Sequence, residues 1–119
     1  MGDYPLRDRT KQLALRVIRL VEALPPGVMG RVFGDQLLRC GPSVGANYRA
    51  SLRAKSKADM LNKWKIVEEE ADETLYWLEL LVDANLMPEA KLRPLMNVVD
   101  EILAMLVAPI NTLRSHRAS

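Results

Sequence analysis

The chain has 119 residues, about half of them apolar and 27% charged, and a formal net charge of +2, which predicts one soluble globular domain over residues 1–119. Cys40 and His116 are its single cysteine and single histidine. These counts exclude an intrachain disulfide and a cysteine-based zinc site, and they argue against a Ser-His-Asp triad or a histidine-based metal site. There is no apolar leader and the longest apolar run, residues 102–110, is short, so we expect a cytoplasmic protein with no membrane contact.

Apolar side chains recur every three or four residues along most of the chain, which predicts helices. The first stripe predicts a helix over residues 5–24, which a Pro-Pro-Gly sequence ends. The second stripe predicts a helix over residues 30–53. Within it Gly41 and Gly45 lie one turn apart, so the backbone there can approach a neighbouring helix closely. Pro42 lacks an N–H group and predicts a kink in this helix.

The third and clearest stripe predicts a helix over residues 57–84, and Ser56 with Asp59 has the pattern of a capping box at its start. A fourth helix is predicted over residues 88–113, and Pro109 should bend or end it. The connections are only a few residues long, so neighbouring helices must be antiparallel. The predicted fold is therefore an all-α, up-down-up-down four-helix bundle with a kinked second helix.

The second half of the third helix is more hydrophobic than one core-facing stripe requires. Four of its apolar residues lie off the main stripe, and aromatic residues among them are typical of subunit contacts. We expect this surface to be an oligomer interface, with a wide core contact inside one subunit as the alternative. The residues are Tyr76, Trp77, Leu80 and Leu81.

Charge is strongly segregated along the chain. Residues 1–65 carry 13 Lys and Arg against 5 Asp and Glu, whereas residues 66–105 carry 2 against 10. One interpretation is that basic and acidic helices face each other within or between subunits. The other is a basic surface that contacts nucleic acid.

Four cationic side chains cluster around the turn between the second and third helices. Two of them are one helical turn apart, so that both guanidinium groups can reach neighbouring phosphates. No sequence-reading motif accompanies them, so binding through this cluster would depend on the nucleic-acid backbone. The alternative is a solvated turn that keeps the protein soluble. The cluster consists of Arg49, Arg53, Lys55 and Lys57.

Three runs, residues 41–50, 55–59 and 69–81, resemble the bacterial four-helix bundle family of the ribosomal-RNA intervening-sequence proteins. The resemblance implies an up-and-down bundle that assembles as a homo-oligomer, commonly a ring of five. It also implies no enzyme activity, and a relationship to the accessory variability determinant proteins of diversity-generating retroelements, which work with nucleic acid. The chain departs from the family pattern at Pro42, where Ser or Thr is usual, and at Ala50 and Ser51, where an acidic residue is frequent.

The motif residues Ser43, Asn47, Glu70 and Glu73 fit a structural role better than a chemical one. An amide at the edge of the apolar face must be hydrogen-bonded. We expect the partner of Asn47 to be Glu70, Glu73 or a carbonyl freed by Pro42. The crowded carboxylates could in principle hold a metal or act as acid and base, but no histidine supports such a site. We predict no catalytic residue, no metal and no cofactor.

The functional prediction is a non-enzymatic oligomeric bundle, with a pentamer favoured, that binds nucleic acid through a basic surface. RNA is favoured over DNA. The alternative is an oligomeric scaffold for a protein partner, whose acidic residues 66–105 would face a basic protein. A hydrolase is the least favoured class, because the sequence offers no nucleophile and base.

Overall fold

The structure is a computed structural model that describes residues 5–118, with side chains through Ser115. In this part of the chain it contains helices and no strand, and each predicted helix is present. The bounds agree with the prediction to within a few residues except at the end of the fourth helix. The helices are α1 (Pro5–Glu22), α2 (Val28–Ser51), α3 (Lys57–Asp83) and α4 (Glu89–Ala118).

The helices form a closed ring of neighbours around one core. Helix α1 packs on α2, α2 on α3, α3 on α4, and α4 returns to α1, while no Cα atoms of the diagonal pairs approach within 8 Å of each other in the described residues. The bundle measures 51 × 24 × 21 Å. This arrangement confirms the up-down-up-down topology, which short connections impose on long amphipathic helices.

Each helix contributes one apolar stripe to the core. Full burial of a Leu or Val side chain stabilises the fold by about 1.5–3 kcal/mol, so these stripes supply most of the driving force. The side chains with no exposed surface include Leu13, Val17, Leu37, Val44, Val67, Leu78, Leu81, Val99, Ile102 and Leu106.

Helices α1 and α2 lie unusually close together because of glycines in α2. A Cβ atom built on Gly41 would lie 2.9 Å from Cγ1 of Val17, and one on Gly45 would lie 3.1 Å from Oγ1 of Thr10. A side chain at Gly41 would therefore clash with Val17, and one at Gly45 would require Thr10 to move. The predicted close approach is therefore confirmed, and the neighbour is α1.

Prolines do not interrupt the helices. Helix α2 runs unbroken through Pro42, and α4 runs through Pro94 and Pro109. The fourth helix therefore does not end at Pro109 or at residue 113 as predicted, but continues to Ala118. Proline within a helix costs about 3 kcal/mol or more, but Ile110 and Leu113 beyond it are buried in the core, and their burial offsets that cost.

The start of α3 confirms the predicted cap in its main contact. Ser56 Oγ accepts a hydrogen bond of 3.1 Å from the backbone N–H of Asp59. The Asp59 carboxylate accepts one of 3.0 Å from the N–H of Lys55, one residue earlier than in a standard capping box. This bond, with a further one from Lys63, lowers the pKa of Asp59.

The end of α3 depends on one residue with a left-handed backbone. Asn85 has φ 60°, and the next N–H group, that of Leu86, donates a 3.0 Å hydrogen bond to the carbonyl of Leu81. This is a Schellman cap with asparagine in the position that glycine usually occupies.

We expect Asn85→Ala to lower the free energy of unfolding by about 1 kcal/mol, because alanine tolerates the left-handed region poorly. Asn85→Gly should stay close to the wild type, since glycine relaxes the strain but loses more entropy on folding. Urea titrations followed by circular dichroism measure both. An alanine variant as stable as the wild type would show that this cap does not hold α3.

Helix α4 is the one described helix that could cross a membrane by length and composition alone, with a mean hydropathy of 1.3 over its most apolar 18-residue window. The prediction of no membrane-spanning segment, based on unbroken apolar runs, did not detect it. In the bundle the helix turns its stripe from Leu92 to Leu113 into the core, and 33% of that window is buried.

Candidate nucleic-acid interface

The predicted cationic cluster lies where α2 gives way to α3. Arg49 is in the last turn of α2, Lys57 begins α3, and Arg53 and Lys55 lie in the connection between them. The side chains of all four are exposed. Backbone hydrogen bonds within the connection, such as the 3.1 Å bond from the N–H of Arg53 to the carbonyl of Ala50, fix its path.

A groove between α1 and α2 divides this cluster. Arg49 lines the groove together with Arg7 and Lys11 of α1, around a volume of about 320 Å³. A smaller recess of about 200 Å³ continues from it past Leu52 to Arg53. Lys55 and Lys57 line neither space. We call this groove, with its cations Arg7, Lys11, Arg49 and Arg53, the basic groove.

The floor of the basic groove is made by small residues. Thr10 and Ala14 of α1 face Pro42, Gly45 and Ala46 of α2. Because Gly45 has no side chain, α1 and α2 approach closely at this level, and the cations of both helices reach the same space. The low dielectric constant of this apolar floor strengthens the electric field of the cations that line the groove.

The groove cations have no acidic partner in the described part of the chain. Six ion pairs are present there, and they use Arg9, Arg39, Lys63, Lys65 and Arg93. None involves a cation of the basic groove. These side chains are therefore available to an external anion without first giving up a salt bridge.

The sequence analysis did not place Arg7 and Lys11 at this site. Their spacing of four residues on α1 was a usable signal, because it puts both on one face of the helix. The spacing could not show which helix lies beside that face.

The motif residue Asn47 is bonded within its own helix. Its Nδ2 group donates to the carbonyl of Ser43 at 2.8 Å and lies 2.9 Å from Oγ of Ser43. The expectation that this amide is hydrogen-bonded is therefore confirmed, but its partner is Ser43 and not Glu70, Glu73 or a carbonyl freed by Pro42. The carbonyl four residues earlier in a helix is always within reach of a short polar side chain.

Glu70 and Glu73 instead meet Arg39, which projects from α2 between them. Glu70 Oε1 lies 3.5 Å from Nη1 of Arg39, and Glu73 forms a closer ion pair with its Nη2. Glu73 also accepts a hydrogen bond of 3.3 Å from the indole of Trp77. The acidic motif thus joins α3 to α2, which supports its structural interpretation.

Cys40 and Thr74 form a buried polar contact in the same α2–α3 seam. The hydroxyl of Thr74 lies 3.3 Å from Sγ of Cys40 and 2.8 Å from the carbonyl of Glu70. Burial raises the pKa of the Cys40 thiol, so the thiolate form is disfavoured. In the described residues no group of three or more His, Cys, Asp and Glu side chains is placed to hold a metal.

The four residues of the predicted oligomer interface have different surroundings. Tyr76 is 53% exposed, whereas Leu81 is fully buried in the core of its own chain, so Leu81 has to be removed from the predicted interface. Trp77 and Leu80 are partly buried against the core. The Trp77 ring meets the edge of Phe33 with ring centroids 5.5 Å apart.

An acidic groove lies between α3 and α4, away from the basic groove. Glu79 and Asp83 of α3 and Glu89 of α4 line it with one cation, Arg93, around a volume of about 400 Å³. Arg93 is paired with Glu89. Helix α1 and the acidic helix α3 thus lie on opposite corners of the bundle, whereas α2 faces α3 through the ion pairs of Arg39, as the interpretation of basic and acidic helices facing each other within the chain expects.

Comparison with known proteins adds a family and a solved structure. The family model of the 23S rRNA-intervening sequence proteins matches residues 3–108. A crystal structure from Bacteroides thetaiotaomicron VPI-5482, described as a protein with unknown function from the S23 ribosomal protein family, superposes with a TM-score of 0.79. It is 34% identical, and the alignment covers 88% of this chain and 97% of that one. No curated protein matches.

Proposed function

The chain belongs to the 23S rRNA-intervening sequence protein family, and from this membership and the basic groove we propose a non-enzymatic, cytoplasmic protein that binds nucleic acid. The observation that supports this proposal is the convergence on one groove of cations from two helices that have no ion pair among the described residues. Phosphate contacts of this kind position a nucleic acid without reading its sequence. RNA is the favoured ligand because the family is named after the intervening sequence of 23S rRNA.

Aromatic side chains give a second argument about the form of the ligand. Tyr48 is 7% exposed. Trp64 is partly buried against the core and its indole donates a 3.0 Å hydrogen bond to Ser51, and no aromatic side chain among the described residues lines the basic groove. Proteins that hold single strands stack bases on exposed aromatic rings. We therefore propose structured, double-stranded regions as the ligand, bound through their phosphates.

We further propose that the protein works as a homo-oligomer, with a pentamer favoured by the family resemblance. The exposed ring of Tyr76 supplies apolar surface for a subunit contact. A basic α1 and an acidic α3–α4 groove on different sides of the bundle also suit a head-to-tail contact, which closes into a ring when the rotation allows. Several basic grooves in one particle would raise the overall affinity by multivalency.

The nucleic-acid proposal predicts a specific loss on charge reversal. Arg49→Glu combined with Arg53→Glu should weaken binding to duplexes of unrelated sequence to the same degree. Four phosphate contacts correspond to a fall in affinity of about 100-fold between 50 and 200 mM salt, and two remaining contacts to about 10-fold. Fluorescence anisotropy with labelled duplex RNA over this salt range measures both the affinity and its slope.

A matched control separates the groove from net charge. Arg31→Glu combined with Arg114→Glu makes the same change in charge at two exposed positions outside the basic groove, and it should retain most of the affinity. If the wild-type protein shows no binding at about 50 mM salt, where such contacts are weakly screened, the proposal fails.

The second candidate is an oligomeric scaffold for a protein partner without nucleic-acid contact. The acidic groove favours it, since Glu79 and Asp83 have no ion pair there among the described residues. A partner with a basic surface would fit. This candidate takes the lead if nucleic-acid binding is absent.

A further inference from the structure

A second cationic groove lies on the opposite flank of α1. Arg16 and Arg19 of α1 and Lys91 of α4 surround a volume of about 280 Å³ between these two helices. None of the three pairs with a carboxylate in the described part of the chain. The floor is apolar and consists of Leu20, Ala23, Met87, Leu92 and Leu95. This α1–α4 groove therefore repeats the chemistry of the basic groove, with cations on the rim of a low-dielectric floor.

The two grooves are offset along α1 by a distance that a short stretch of duplex can span. The basic groove meets α1 between Arg7 and Ala14, and the α1–α4 groove meets it between Arg16 and Ala23. An offset of nine residues corresponds to about 13 Å at 1.5 Å per residue. Each strand of a duplex places a phosphate about every 3.4 Å along the axis, so the offset corresponds to about four phosphate steps along one strand.

We propose that the α1–α4 groove is a second phosphate-binding site, and that one nucleic-acid duplex lies across α1 with its backbone held in both grooves. This inference rests on the proposed function and extends it, because it assigns a second set of residues and a minimum ligand length. Binding in one groove holds the duplex over the other, so the second contact forms at a high effective concentration. The ligand is double-stranded because no aromatic side chain among the described residues lines either groove for a single strand to stack on.

The test compares the α1–α4 groove with the basic groove by equal charge changes. The variants are Arg16→Glu with Arg19→Glu, Arg49→Glu with Arg53→Glu, and the control Arg31→Glu with Arg114→Glu. Each is titrated with a labelled RNA duplex of about 20 base pairs and with a hairpin stem of about four, which is too short to reach both grooves at the offset of about 13 Å. Circular dichroism verifies that each variant remains helical.

We expect the wild-type protein to show a steeper salt slope with the long duplex than with the hairpin. The Arg16 and Arg19 reversal should remove about 2 from the slope with the long duplex and bring it close to the hairpin value. Lys91→Glu, which reaches the same groove from α4, should lower the slope by about 1. These results together support the second site.

The outcomes that contradict the inference are distinct from those that contradict the proposed function. If the Arg16 and Arg19 reversal binds the long duplex like the control, while the Arg49 and Arg53 reversal loses affinity, the second site is refuted and the basic groove stands. Equal wild-type slopes with both probes also refute it. If no charge reversal differs from the control, both the inference and the proposed function fail.

Discussion

Replacing Gly41 with leucine is expected to lower the free energy of unfolding by about 3 kcal/mol, near the upper end of the usual cost of overpacking. The three atoms nearest to a Cβ at this position, at 2.9–3.1 Å, all belong to Val17. Val17 is fully buried and β-branched, so it has no other low-energy rotamer. The added side chain must therefore separate α1 from α2. Urea denaturation followed by circular dichroism measures the loss.

Two further variants identify the cause of that loss. Gly41→Ala should cost less than leucine, because it adds a single methyl group against Val17, while both residues gain a similar helix propensity over glycine. Combining Gly41→Ala with Val17→Ala frees the space that the new methyl group needs, so the two changes should be less harmful together than their sum. A leucine variant as stable as the wild type would mean that α1 and α2 are not in close contact at Gly41.

Tyr76→Glu is expected to dissociate the proposed assembly into folded monomers of 13.4 kDa. The ring of Tyr76 is 53% exposed in the single chain, so the change should leave the fold intact. In a subunit interface the new carboxylate would be buried without a partner, which costs several kcal/mol per subunit. Light scattering at micromolar concentration measures the mass of each protein.

The choice of Tyr76 over its neighbours matters for this test. Trp77→Glu would remove the packing against Phe33 and place a second carboxylate one turn from Glu73, so it would damage the monomer as well. Asn62→Glu adds the same charge at another exposed position of α3 and serves as the matched control. A wild-type protein that is already monomeric would refute the assembly, and an unchanged mass for Tyr76→Glu would move the interface elsewhere.

The spacing of apolar residues was sufficient to predict the four helices, because burial of one face per helix is what the fold requires. It was not sufficient to predict how wide that face is. Leu81 lies off the main stripe of α3 and was assigned to an oligomer interface, with a wide core contact inside one subunit as the alternative. It is fully buried, as that alternative requires. Helix α3 packs on both α2 and α4, and this double contact buries a broader arc than a single stripe indicates.

The candidate site was predictable only for the residues on one helix and its following turn. Arg49 and Arg53 were found from their spacing, but joining them to Arg7 requires knowing that α1 lies beside α2 at the level of Gly45. The glycine spacing showed that some helix approaches there and could not say which one. Side-chain partners were also not predictable from local patterns. Glu73 was considered as a partner of Asn47, but it pairs with Arg39, and Asn47 bonds Ser43 instead.

The buried thiol of Cys40 allows local opening of the contact between α2 and α3 to be detected in the native chain. It is the single cysteine of the chain, it has no exposed surface, and burial raises its thiol pKa, so a soluble alkylating reagent cannot react with it in the closed bundle. Any labelling must follow a local opening, and when reclosing is fast the labelling rate gives the free energy of that opening. The native chain can thus be followed by mass spectrometry without introducing a probe.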